Sequence, residues 1–399
     1  MTNPVVSFRQ HLTLLSLLLK RDHAAMAARL QDVVGRPADF IRFVDQHHLR
    51  LSVFSLLDGS PLQQSLPQDW VDQLKIFSLQ QRAKQETLVR ELAHLSALLA
   101  ADNQEFILLK GPYLAERFCG GIGRRAFSDL DILVKRENLE AVGRILRSDG
   151  YVRKSTIVLN QALTTRFTHA FDFAKSNVAL DLHWLLSAQA AHDLDYDAIW
   201  QQRQSFVLRD RHFFVLSDEY EVVFNLISIF KDLERGAARL RPFVDLYCIL
   251  GTVSRSLDWD TFLAHRRREK ILRISVNMLA WFLEFFECQN RFPEVAAVVT
   301  REQELLKVVS AGYRQTLLEA APGALRNKVW AAGVYECSRV RVWWWWLASL
   351  PFRLAVYHPG KYARFMGKLQ QWKRRLWQGW GTQGRPKQGF SNPHSDRRQ

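Results

Sequence analysis

The sequence predicts an α/β (α+β) chain: a small mixed-sheet core flanked by helical regions on both sides. Three observations carry this. Apolar residues recur every three or four positions over residues 4 to about 100 and again from about 217. Between these stretches the period shortens to that of strands, in runs such as "EFILLKG" and "SDLDILV". Helical segments stand between the first of those runs, so the order is helices, a small α/β core, then helices.

In chain order, "DFIRFVDQHHLRLSVFSLL" and "VDQLKIFSLQQRAKQETLVRELAHLSALLAA" read as amphipathic helices, the second long and charged on its outer face. Glu105 to Gly111 is a buried strand closed by glycine, and "PYLAERF" opens a helix with proline in its first turn. A glycine-bearing loop, "CGGIGRRAFS", leads to a strand ending in Ile132-Leu133-Val134, and "NLEAVGRILRSDGY" is a helix stopped at Gly150. Residues 151–186 supply further strands, with a hairpin turning at Lys175-Ser176-Asn177. In its second arm Leu180, Leu182 and Trp184 share one face, and Asp181 and His183 the other. The expected organisation is an N-terminal helical region over 1–102, an α/β core over 103–216, a helical domain over 217–338, and a Trp/Arg-rich basic tail over 339–399 whose last part reads as disordered.

The chain has 399 residues, 48% of them apolar, enough for a sizeable core. Its net charge of +15 favours anionic partners. Four scattered cysteines form no C-x-x-C pair, which argues against a zinc ribbon or disulfide scaffold and suits a cytoplasmic setting. "LTLLSLLLKR" reads as a core helix rather than a leader, and no apolar run reaches the roughly 18 residues that span a bilayer. The tail run "RVRVWWWWLASLPFR" places four tryptophans between arginines, a pattern suited to an anionic membrane surface, to packing against a helix or, less well without an accompanying module, to nucleic acid.

The stretch that poses a chemical question is "RAFSDLDILV". Asp129 and Asp131 stand at the entrance to an apolar strand, where two nearby carboxylates repel and lose hydration. Residues i and i+2 of a strand project to one side, and two carboxylates there suit a Mg²⁺ ion, which takes oxygen ligands together with substrate phosphates. Asp181, on a neighbouring strand, is the candidate third carboxylate. Arg125, Arg124, the loop to Ser128, and Lys110-Gly111 offer cations and backbone N–H groups for phosphate. His183 reads either as a structural histidine or as a ligand.

The combination "LLKGPYLAERF…RRAFSDLDILVKRENLEAVGRILRSDGY…VALDLHWLL" resembles the nucleotidyltransferase-like proteins of the DNA polymerase β superfamily, and most closely a little-characterised bacterial branch. It covers about residues 104–186, and extends weakly to "LRPFVDLYCIL" and "DWDTFL". The resemblance implies a mixed sheet flanked by helices, two Mg²⁺ ions, and transfer of an NMP group from a nucleoside triphosphate to a hydroxyl or phosphate acceptor. By position it matches Asp129 and Asp131 to the metal pair and Asp181 to the third carboxylate, and it sets Lys110 and Gly111 at the triphosphate; Arg125 and Ser128, in the loop before the pair, are the other candidate phosphate contacts. Lys110-Gly111 stands where the wider superfamily has Gly-Ser, and "ISIFKDLERG" stands where its helical region has histidines. A retired site serving as a binding module, and a peripheral membrane protein of surface-polysaccharide production, are the alternative expectations.

Overall fold

A computed structural model describes residues 4–34, 37–154, 165, 167–187, 192–236, 239–307 and 325–349. Residues 1–345 form one compact unit, and a second begins at Trp346. Most of the predicted basic tail, from 350 on, lies outside the described residues.

Five helices precede the first strand: α1 (Pro4–Lys20), α2 (His23–Val34), α3 (Pro37–Gln46), α4 (Arg50–Leu57) and the long α5 (Gln68–Ala101). The buried residues Leu88, Val89, Leu92, Leu95 and Leu99 run along one side of α5, the stripe expected of a helix lying on a core. The core itself begins with β1 (Ile107–Leu109), α6 (Gly111–Phe118) and β2 (Leu130–Leu133). Helix α7 (Leu139–Ser148) follows, burying Leu139, Val142, Gly143 and Leu146 on one face. Then come β3 (Val152–Arg153), β4 (Ala170–Lys175), β5 (Val178–His183), α8 (Tyr196–Gln201), β6 (Gln204–Leu208) and β7 (Arg211–Val215).

The seven strands form one mixed sheet in the order β3-β4-β5-β2-β1-β7-β6. The three-residue β1 is fully buried; it pairs antiparallel with β2 and parallel with β7. β2 pairs parallel with β5, and β5 antiparallel with β4. The β4–β5 hairpin turns where the sequence places it, with Ser176 at φ 51°. The β6–β7 hairpin turns on Arg209 and Asp210, both at positive φ.

Beyond the sheet the described chain is helical: α9 (Asp218–Arg235), α10 (Arg241–Val253), α11 (Trp259–Arg268), α12 (Leu272–Phe286), α13 (Pro293–Arg301), α14 (Leu325–Val334) and α15 (Arg339–Ala348). Helix α9 is opened by Ser217, whose hydroxyl accepts from the Tyr220 N–H, and closed by Gly236 in the left-handed conformation. One apolar cluster runs from Phe8 to Val334, so the flanking helices and the sheet share a core.

Candidate active site

Strand register brings the carboxylates together. β2 and β5 align Asp131 with Asp181, and β5 and β4 align Asp181 with Asp172. Residues directly opposite across a ladder point to the same face, so Asp172, Asp181 and Asp131 form one row across three strands. Like charges so placed disfavour one another. Leu130, Ile132, Leu180 and Leu182 face the other way and are fully buried, which fixes the register that exposes the acids. Asp129 stands one residue before β2, half-buried, with Ser128 Oγ 3.5 Å from its Oδ1.

His183, at the end of β5, donates from Nε2 to Asp131 Oδ1 at 3.0 Å. Ligand atoms of Asp131, Asp181 and His183 lie within 4.8 Å of one another. His183 Nδ1 is buried with no hydrogen-bond partner among the described residues. Charge separates the three aspartates. Burial works to raise Asp131, but the His183 hydrogen bond, with Lys110 and Arg125, outweighs it and holds the carboxyl below its ordinary value. Asp129 is raised by burial and by Asp131. Asp181 is pushed up to about 7, by burial first and then by Asp131, Asp172 and Asp129. Asp131 and Asp181, on facing sheet positions, with Asp129 two residues before Asp131, offer carboxylate oxygens of the kind a hard divalent cation such as Mg²⁺ takes.

Facing this row is a cavity of about 280 Å³. Its lining combines the acids Asp131, Asp181, Glu221, Asp232 and Asp245 and the histidines His169 and His183 with six cations, Lys110, Arg125, Lys231, Arg235, Arg239 and Arg241. Lys110 is placed by the backbone: register sets Leu109 opposite Asp131, and the next residue turns out of the strand. It does so at φ 40°, ψ −142°, a conformation costly for a residue with a side chain, and Gly111 follows at φ 51°. A Cβ on Gly111 would come 3.6 Å from the Asp129 carbonyl oxygen, so the Lys-Gly turn lies against the aspartate's own backbone. Lys110 Nζ donates to Ser228 Oγ at 3.1 Å and lies 4.2 Å from the Phe224 ring centroid.

Arg125 is spent differently. Its Nε and Nη2 donate to Asp245 Oδ1 and Oδ2 at 2.7 and 2.9 Å, in a buried bidentate pair. The loop carrying it is pinned to α5, where Gln85 Nε2 donates to the Arg125 carbonyl at 2.7 Å and Gly123 leaves room for the Arg82 side chain. Arg125 therefore stands in the wall as a fixed charge that also ties the loop to α10. Arg124 is exposed.

Sequence reasoning singled out Lys110, Gly111, Arg125, Ser128, Asp129, Asp131 and Asp181. Lys110, Arg125, Asp131 and Asp181 line the cavity; Gly111 follows Lys110 directly, whereas Ser128 and Asp129 lie in the segment between Arg125 and Asp131 and are not part of the lining. It missed Asp172, whose pairing with Asp181 follows from the hairpin turn once that turn is fixed. It also missed Lys231, Arg235, Arg239, Arg241 and Asp245. Ser228, Lys231, Asp232 and Arg235 do carry a readable signal, since their spacing of three and four puts them on one side of α9.

Among the described residues a second group of ligand type exists, Glu91, His94 and Asp149. Lys175 Nζ already lies 2.8 Å from Asp149 Oδ2 and 3.3 Å from Glu91 Oε1, so an ammonium balances it.

A family model described as "Uncharacterised nucleotidyltransferase" matches residues 35–287. No curated protein matches the sequence. Solved structures similar to the chain include ANT(2")-Ia in complex with adenylyl-2"-tobramycin, at 13% identity and TM-score 0.31, over 45% of this chain and 95% of that one. Another is an antigenic nucleotidyltransferase-like protein from Paracoccidioides brasiliensis, at 13% identity and TM-score 0.30, over 58% of this chain and 97% of that one.

Proposed function

The chain belongs to the uncharacterised nucleotidyltransferase family, and on that premise we propose that it is a Mg²⁺-dependent enzyme moving an NMP group from a nucleoside triphosphate to a hydroxyl or phosphate acceptor. The observation that carries this reading is the register of Asp131 with Asp181 across parallel strands, facing a wall of cations. Asp129 and Asp131 would hold the cation, with Asp181 completing the oxygen set on the acceptor side. Mg²⁺ bound there supplies neutralisation of charge on the reacting phosphates. Lys110 and Arg241 bind the triphosphate, and Gly111 and Ser128 shape the turn and loop against it. Arg125 positions that loop and adds a fixed positive charge. His183 orients Asp131 through its hydrogen bond.

In the transfer, an acceptor oxygen forms a bond to the α-phosphorus, the bond from that phosphorus to the bridging oxygen breaks, and pyrophosphate leaves. A hydroxyl acceptor gives its proton to Asp181, the carboxylate on the acceptor side of the row. The test is incubation of the purified chain with α-labelled nucleoside triphosphates, Mg²⁺ and fractionated cell extract. Label should appear in an acceptor with the wild type and not with an Asp129→Ala/Asp131→Ala variant. Equal labelling by both would reject the assignment.

We further propose a cytoplasmic protein whose C-terminal segment contacts an anionic membrane surface at the inner face. Val340 and Trp344, one turn apart on α15, are 70% and 68% exposed. From Arg339 onward the sequence holds thirteen Lys and Arg against one acidic residue, Asp396. No helix among the described residues is long and apolar enough to cross a membrane. Flotation with vesicles containing phosphatidylserine should carry the full chain and leave behind a chain truncated at residue 339; flotation of both would reject this.

A further inference from the structure

Besides Lys110 and Arg125, the cations of the cavity come from two helices, and Lys110 acts on the surroundings of both. Arg239 and Arg241 lie at the start of α10, and Arg241 acts electrostatically on both Asp129 and Asp131. Lys231 and Arg235 lie on the α9 stripe, beside His169 at the foot of β4. Lys110 reaches both groups, since its charge acts on Asp129 and Asp131 and also on Lys231 and His169.

The second group has one carboxylate near it, Asp232, which lines the same cavity and is shared among Lys110, Lys231, Arg235 and Arg239, so positive charge is in excess there. Lys231 Nζ donates to His169 Nε2 at 3.1 Å, so the imidazole accepts and is neutral. No salt bridge or hydrogen bond to Arg235, Arg239 or Arg241 occurs among the described residues. Asp232 and Glu234 act on Lys231 through space, and Glu234 itself accepts from Tyr335 Oη and pairs with Lys328. Burial, with Arg235 and Lys110 beside it, pushes Lys231 down to about 7. A half-buried ammonium bonded to a neutral ring and crowded by Arg235 and Lys110 is poorly compensated, and an anion entering beside it offsets that cost.

We propose that Lys231, Arg235 and His169 form a second anion subsite, and that the acceptor is a phosphate-bearing molecule whose phosphate binds there. The inference rests on the nucleotidyltransfer reading. A triphosphate travelling with the cation at Asp129 and Asp131 lies along Lys110 and Arg241, which leaves the Lys231 group to a separate anion. The same subsite holds the acceptor's phosphate while its reacting oxygen meets Asp181, which shares the cavity wall. Neutral acceptors forgo this contact, so the subsite selects for phosphorylated ones.

The experiment is calorimetric titration of the full-length chain with inorganic phosphate, in the presence of saturating Mg²⁺ and nucleoside triphosphate. The wild type should bind phosphate on top of the bound nucleotide. Lys231→Met should weaken phosphate binding about tenfold or more, while nucleotide binding changes far less. Arg235→Gln, on an exposed side chain that folding does not need, should weaken it in the same sense. The inference is overturned if nucleotide excludes phosphate from the wild type, if both variants bind phosphate as the wild type does, or if Lys231→Met loses nucleotide and phosphate together. Should the wild type bind no nucleotide under any condition, the nucleotidyltransfer reading falls. In that case phosphate binding lost in Lys231→Met still upholds the subsite, and unchanged phosphate binding overturns it.

Discussion

The acidic and basic walls of the cavity are built by different rules. The acidic wall is a sheet face: Asp131, Asp181 and Asp172 stand in one row because strand register puts them there, and their buried neighbours Leu130, Ile132, Leu180 and Leu182 forbid a slip by one residue. The basic wall is drawn from a strand end, a loop, a stripe on α9 and the start of α10. The first is held by backbone hydrogen bonds and a continuous core. The second is held by side chains, chiefly the Arg125–Asp245 pair across 120 positions of sequence. The comparison teaches that the acids are fixed by strand register and the cations by individual side-chain partners, Asp245 for Arg125 and Ser228 for Lys110. Changes to the acids should abolish chemistry with the fold intact, and changes to the cations should alter stability or affinity.

The largest expected effect tests the acidic wall. Asp131→Asn should reduce transfer by about a thousandfold or more, the scale for losing an electrostatic stabiliser of a transition state, while circular dichroism and unfolding midpoint stay close to wild type. A large loss of stability would place Asp131 in the structural class instead. Next comes the pair that anchors the basic wall. Asp245→Ala leaves Arg125 buried and unpaired and should cost about 3–5 kcal/mol by denaturant unfolding, whereas Arg125→Met/Asp245→Leu should recover much of it. A double variant no better than the single would show that the loop needs the ion pair itself.

The pH dependence of the metal-free protein sharpens the same contrast. Asp181 lies at about 7 when folded, against an ordinary 3.8. A carboxyl raised by folding stabilises the protein fully below its unfolded value, and that contribution is lost as pH rises through the folded value. Stability should therefore fall between about pH 4 and pH 7, by no more than about 4 kcal/mol. Mg²⁺ should restore it at neutral pH, and Asp181→Asn should flatten the profile. A flat profile in the wild type would contradict the crowding of charge described for the row.

Smaller effects are expected at single wall positions. Arg241→Gln should weaken nucleotide binding by about tenfold, the loss of one charge-assisted contact, with little change in stability. Gly111→Ala should cost about 1 kcal/mol, because the residue sits at φ 51° and a Cβ at 3.6 Å from the Asp129 carbonyl makes only ordinary contact.

What the sequence made legible follows the same division. The strand before Lys110, the α6 helix after it, the aspartate strand and the β4–β5 hairpin are all written in local periodicity and turn residues. Asp129, Asp131 and Asp181 could be located from them. The β6–β7 hairpin goes unmarked because its turn uses Arg209-Asp210 at positive φ in place of the glycine that usually signals such turns, and its strands are half exposed. The pairing of β7 with β1 is non-local and has no signature in either segment. Arg125 was legible as a cation near the aspartates, but its partner Asp245 was not, since nothing near either residue marks a contact so distant in the chain. In "ISIFKDLERG", Lys231 and Arg235 read only as a departure from the family's histidines, yet they are the cavity's helical wall.

The most direct test of the central claim is calorimetric binding of each nucleoside triphosphate to the full-length chain, with and without Mg²⁺, beside the Asp129→Ala/Asp131→Ala variant. The account predicts binding that requires Mg²⁺ and disappears in the variant, because the aspartates hold the nucleotide only through the cation. Binding that is as tight without Mg²⁺, or undiminished in the variant, would contradict it and leave the cationic wall as a simple anion-binding surface with a retired acidic row.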